Sequence, residues 1–410
     1  MTETAASRRE PVPRGLGRTG PVILSYGFRP FFLAAGCWGV LAMALWIAHV
    51  SGLVEVGGTL GGLTWHAHEM LFGYSSAALA GFLLTAVPNW TGRLPVSGTP
   101  LLALFLVWFA GRLALFAPDV LRPIWSVLVD AAFLPLLLVI CAREVTAGKK
   151  WKDLKVLAAL FALSAANIAF HYSALTTGDI SLPSRLAIAA YCLLIAIIGG
   201  RIIPSFTRNW VARNGMTTFP QPHSRFDAVA IGIALASFWT WIFVPEGLVT
   251  GAFLSIAGAV HAVRLWRWRG WYAAAERLVL ILHLGYGFLV LGFFAAAAAA
   301  WGLMDPVSAL HVLTVGTIGT MTLAVMTRAT RGHTGLPLHA GPLTVTAYSA
   351  MAAAALVRPL VAFVPEFYLE LVSAAGALWM LAFALFLLEY APPLLRTRKD
   401  LPYKRGKDGG

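Results

Sequence analysis

Charge is what this 410-residue chain has least of. Only 12% of its residues are Asp, Glu, Lys or Arg, and 18 acidic residues stand against 31 basic ones. With 59% hydrophobic residues and a mean hydropathy of +0.75, too few polar side chains are present to cover a water-soluble surface, which excludes a soluble globular protein. Cysteine is nearly absent too. Cys37, Cys141 and Cys192 lie far apart, each inside an apolar run, which excludes a disulfide framework and a thiolate metal site and leaves them as small buried hydrophobes. Polar stretches long enough for a separate folded domain are also missing; the longest loop is about 205–225. The formal charge of +13 would suggest nucleic acid in a soluble protein. Here no aromatic-interleaved basic patch accompanies it, and nucleic acid is not an expected partner.

What is present is a series of apolar runs, each close to the ~20 residues a helix needs to cross a bilayer. Twelve are expected, at about 31–50, 65–87, 100–117, 123–142, 156–175, 184–204, 227–244, 248–264, 277–299, 306–327, 341–361 and 367–390. With a cytoplasmic N-terminus, 27 of the Lys and Arg residues fall on the inner side and four, Arg112, Arg122, Arg185 and Arg358, on the outer side. Positive charge is retained on the cytoplasmic face of a membrane beside anionic lipid, so this split supports twelve spans with both termini inside, and membrane lipid as a partner. The expected fold is an all-α integral membrane protein of about twelve transmembrane helices. Its parts are a basic cytoplasmic tail (1–29), a polytopic transmembrane domain (30–391) and a second basic tail (392–410). The first span carries no cleavage signature and reads as an uncleaved helix. A weak repeat ends spans two, six and ten, where an apolar stretch, a Thr and an Arg recur at Thr85–Arg93, Arg201–Trp210 and Thr322–Arg328. Spans four apart suggest three arcs of four helices.

The ten histidines carry the chemistry. His223, His261, His333, His339 and His49 fall in loops or near span ends and read as polar interface residues. His66, His68, His171, His283 and His311 fall within spans or at their edges, where an ionisable group usually marks a metal, ion or proton site. His66 and His68 in Trp65-His66-Ala67-His68-Glu69-Met70 diverge by about 200° on a helix, so each is expected at a different centre. Glu69, three residues from His66, shares its face and is the expected orienting carboxylate. His311 precedes Gly316 and Gly319, which clear space for a neighbouring helix or a flat macrocycle. Two neutral imidazoles from separate spans suit a six-coordinate haem iron, and His66 with His311, level at the outer side, is the natural pair. His68 is left for a second haem or copper, with His283 as the first choice of partner and His171 as the second. Asp130, Asn167 and Glu370 line a proton route or form structural pairs.

Four segments resemble the NnrS family: Phe28-Arg29-Pro30-Phe31-Phe32, Trp65–Gly73, Gly81–Arg93 and Gly319–Gly335. The resemblance covers about residues 26–390. It implies a bacterial twelve-span inner-membrane protein containing haem and copper, linked to denitrification and to tolerance of nitric oxide. The start of span two and its Asn89-Trp90 end are also similar to the haem-ligand helix of heme-copper oxidase catalytic subunits. Those subunits likewise have twelve spans in three arcs, with ligands on helices two and ten. They take copper ligands from spans six and seven, which here hold no histidine, so such a centre would be absent or rebuilt from His68, His171 and His283.

Two functions follow. One is a haem- and copper-binding protein of the nitrosative stress response that binds nitric oxide, turns it over or shields metal centres from it, drawing electrons from a quinol or another donor if it is an oxidoreductase. The other is a proton- or metal-coupled transporter that uses the intramembrane histidines. Transporters usually show an inverted repeat, whereas the period here is four spans in one direction.

Overall fold

Apolar runs of this length form helices because a bilayer offers no partner to an unpaired backbone group. In the computed structural model, which describes residues 20–116 and 123–397, twelve helices are long and apolar enough to span a membrane. They are α1 (Phe28–Val50), α2 (Gly62–Thr91), α3 (Thr99–Phe116), α4 (Ile124–Ala147), α5 (Trp151–Thr176) and α6 (Ser181–Arg213), followed by α7 (Arg225–Phe243), α8 (Leu248–Arg267), α9 (Arg277–Ala300), α10 (Pro306–Thr334), α11 (Pro342–Ala362) and α12 (Pro365–Leu395). All twelve expected spans are present. Most of the two tails, with Arg122, lies outside the described residues.

Helices adjacent in the chain pack on one another, and α12 returns to α1 to close the circuit. Inside it, α2, α6 and α10 touch each other, and at 30, 33 and 29 residues they are among the longest helices. The spans carrying the weak repeat are therefore the central three. Length has a plain use here: about 1.5 Å per residue gives more than 40 Å, enough to traverse both the hydrocarbon and the headgroup layers. Tyr74 on α2 meets Thr322 on α10 at 2.5 Å, and Tyr191 on α6 donates to the Leu71 carbonyl of α2 at 2.8 Å.

Both α2 and α10 widen into a π-helical stretch, Glu69–Tyr74 in α2 and Val312–Gly319 in α10. Such widenings are rare and cluster at functional sites. In α2 four successive carbonyls of this stretch each accept a side-chain donor: Met70 from Ser75 at 2.7 Å, Leu71 from Tyr191, Phe72 from Ser76, and Gly73 from Trp108 at 3.0 Å. The Met70 carbonyl also accepts the Ser75 backbone N–H. The widening begins directly after His68 in α2 and directly after His311 in α10.

Candidate functional site

His66 and His311 line one cavity of about 460 Å³, within the roughly 300–1,000 Å³ typical of cofactor and ligand sites. It lies at the end of the bundle where α2 and α10 begin, with α1, α6, α7, α9, α11 and α12 completing the wall. His66 stacks on Trp46, their centroids 4.3 Å apart and the planes 18° from parallel, and its Nδ1 is buried with no hydrogen-bond partner. His311 donates from Nδ1 to the Val307 carbonyl one turn back, at 2.7 Å. That bond fixes the tautomer and leaves the Nε2 lone pair for a metal, the usual arrangement of a ligating imidazole.

Three buried polar atoms on this wall lack partners: His66 Nδ1, Ser184 Oγ and Arg358 Nη1. Buried polar groups in folded proteins are almost always paired, so three orphans on one wall indicate that the cavity receives a polar ligand. Arg358 is nine-tenths buried, and a guanidinium there calls for an anionic partner. Arg185 and Glu246 also line the space, Arg185 donating to the Ile242 carbonyl at 3.1 and 3.2 Å. The remaining wall is largely apolar and aromatic, including Tyr74, Trp241 and Trp379. These residues fit a large, flat, partly anionic group that takes two imidazoles.

On the other side of α2 lies a second arrangement. His68 presents Nε2 to Asp130 Oδ2 at 3.0 Å and Nδ1 to Glu69 Oε1 at 3.1 Å. His171 of α5 presents Nε2 to the same Asp130 oxygen at 2.8 Å, and the two imidazole centroids are 4.7 Å apart. Asn167 donates to Asp130 Oδ2 at 3.1 Å and offers its own oxygen to His68 Nε2 at 3.2 Å. Arg112 of α3 bridges both carboxylates, donating to Glu69 Oε2 at 2.6 Å and to Asp130 Oδ1. Trp38 donates to Glu69 Oε2 at 2.7 Å. One ligand atom from each of His68, Asp130 and His171 lies within 4.8 Å of the others, and all three residues are buried. Gly73 makes the crossing possible: a methyl there would meet Arg112 Nη1, Glu69 Oε2 and Trp38 Nε1 at 2.5–2.7 Å.

Several expectations are redrawn by this geometry. His66 and His68 face different sites, as their angular separation requires. Glu69 turns to His68, Arg112 and Trp38 and is not the partner of His66, because two strong donors on α1 and α3 capture its carboxylate. The partner brought to His68 is His171. His283 lies elsewhere, with Nδ1 donating to its own Val279 carbonyl at 3.1 Å and Nε2 3.4 Å from Thr207. Gly316 and Gly319 admit side chains of neighbouring helices, Phe288 against the first and Trp379 with Met351 against the second. Asp130 and Asn167 meet in the cluster, whereas Glu370 is exposed. His261, read as an interface residue, is fully buried, with Nε2 donating to the Ala230 carbonyl at 3.1 Å and Nδ1 2.7 Å from the Tyr286 hydroxyl. In the sequence Arg112 and Arg358 read only as outer-side charge. Both fall inside expected spans, 100–117 and 341–361, and both are buried, where a guanidinium needs an anionic partner.

The family model described as NnrS protein matches residues 22–398. Among curated proteins there is no match.

Proposed function

We propose, from the premise that this chain belongs to the NnrS family, that it is a haem- and copper-binding protein of the bacterial inner membrane that acts on or against nitric oxide. The observation that carries this reading is the shared cavity: two imidazoles from separate central helices face one space, one with a buried, unpaired Nδ1 and one with its tautomer fixed for ligation. His66 and His311 would hold the haem iron, and Arg358 would pair with a propionate. Held by these imidazoles, haem would supply one-electron redox chemistry or a site for a diatomic gas. The protein's own part is to orient the macrocycle with Trp46 against the His66 ring, to keep water out with an apolar wall, and to give the propionate its counter-charge. Among the described residues no further histidine lines the cavity, so imidazole ligands for the copper that the family resemblance implies would come from outside it.

The split of 27 basic residues to four supports cytoplasmic termini, which would set the cavity in the periplasmic half. Reporter fusions after residues 58, 180 and 305 are then expected to read as periplasmic, and fusions after 148 and 215 as cytoplasmic; a single reversal breaks this orientation. Electrons would come from a quinol or another membrane donor if the protein turns nitric oxide over. The deciding experiment is the visible and electron-paramagnetic-resonance spectrum of the detergent-purified chain, with and without nitric oxide. A Soret band with a low-spin ferric signal that changes on nitric oxide addition is expected. A colourless protein, after expression with ample haem, would remove the haem reading.

A further inference from the structure

We propose that His68, Asp130 and His171 bind a single copper ion, at a site separated from the cavity by the body of α2. Three observations support it. The donor atoms are already gathered, two imidazole nitrogens each within 3.0 Å of one carboxylate oxygen, and they come from three different helices. Their outer partners are those of a metal site: Glu69 on the far nitrogen of His68, and Asn167 and Arg112 on Asp130, the second layer that usually fixes ligand orientation. Finally, a void of about 10 Å³ adjoins both imidazoles, walled otherwise by Trp65, Leu115 and Phe170 among others, about the room one water or small ion occupies.

Charge is compatible with such a site. Both His68 nitrogens face carboxylate oxygens, which only accept, so without a metal His68 holds a proton that, with Arg112, balances Glu69 and Asp130. A metal ion at Nε2 displaces that proton. Copper(II) with nitrogen and oxygen ligands prefers a square-planar or tetragonal arrangement, in which bonds of about 2.0–2.2 Å put neighbouring ligand atoms about 2.8–3.1 Å apart. The observed contacts are 2.8 and 3.0 Å. Two imidazoles and a carboxylate form a borderline donor set, and among divalent first-row ions such a set favours copper.

The test uses the full-length protein purified in detergent, loaded with copper(II) sulfate, dialysed, and assayed for copper, zinc and iron per chain. One copper per chain is expected, with nitrogen hyperfine structure from two imidazoles. His171→Ala and Asp130→Asn should each lower copper occupancy by about tenfold or more while the Soret band persists. His283→Ala should change neither, and His66→Ala should alter the Soret band and keep the copper. Wild-type protein that stays copper-free after loading, or His171→Ala protein that retains the same copper signal, overturns the site. Zinc retained in place of copper overturns the choice of ion. If the cluster variants do not accumulate, the wild-type hyperfine pattern decides, since any coordination without two imidazole nitrogens refutes the assignment. Because copper is counted directly, loss of the haem reading leaves this outcome legible.

Discussion

Two sites lie back to back on α2, and they are built on opposite plans. The cavity around His66 and His311 is large, mostly apolar, and holds polar atoms without a partner among the described residues. The cluster around His68 is small and nearly saturated: Glu69, Asp130, Asn167, His171, Arg112 and Trp38 answer one another across four other helices. The difference shows how a membrane interior handles polarity. Unpaired groups persist where a ligand completes them, and paired groups persist where the network completes itself. Stability in the first region should therefore depend on what is bound, and in the second on every member of the network.

The largest expected effect is at the cavity. His66→Ala or His311→Ala should abolish or convert the low-spin haem signal while the protein still inserts, read by visible spectra of equal amounts of purified protein. Unchanged spectra in both would erase the contrast between the sites.

Next is Arg112→Met. It strips the counter-charge from two buried carboxylates, and removing one partner of such a pair costs about 3–5 kcal/mol. Thermal unfolding in detergent should drop clearly. Arg358→Met is the matched control, because this guanidinium has no partner at Nη1 to strand. The haem-free protein should unfold no earlier than wild type, while haem binding weakens by about tenfold, near the value of one charge-assisted hydrogen bond. A stability loss equal to that of Arg112→Met would show that the two arginines do the same job.

Smaller still is Gly73→Ala, whose methyl collides with the crossing of Arg112, Glu69 and Trp38; a cost of about 1–3 kcal/mol is expected from overpacking. Tyr191→Phe should come last, removing only one donor to Leu71 in the π-helical stretch, about 0.5–1.5 kcal/mol for a single hydrogen bond. It should sharpen the comparison by shifting the Soret band slightly, since Leu71 also lines the cavity.

The number of helices was legible in the sequence because the bilayer imposes a length and an apolar composition on each span. The divergence of His66 and His68 was legible for an equally local reason, the fixed rotation per residue of a helix. The recurrence of Thr and Arg at spans two, six and ten reads in the sequence only as a period of four spans; the structure shows that these three helices touch one another. The pairing of His68 with His171 was not legible, nor the capture of Glu69 by Arg112 and Trp38. Those depend on which faces of α1, α3, α4 and α5 turn toward α2, and an apolar helix surrounded by other apolar helices carries almost no pattern in its sequence to say so. Nor could sequence tell that Gly316 and Gly319 accommodate Phe288 and Trp379, because a glycine records that something approaches closely and not what. Local rules fixed the spans and the angles within each one; the juxtaposition of buried charges came only from packing, where each carboxylate is drawn to the nearest donor that three dimensions provide.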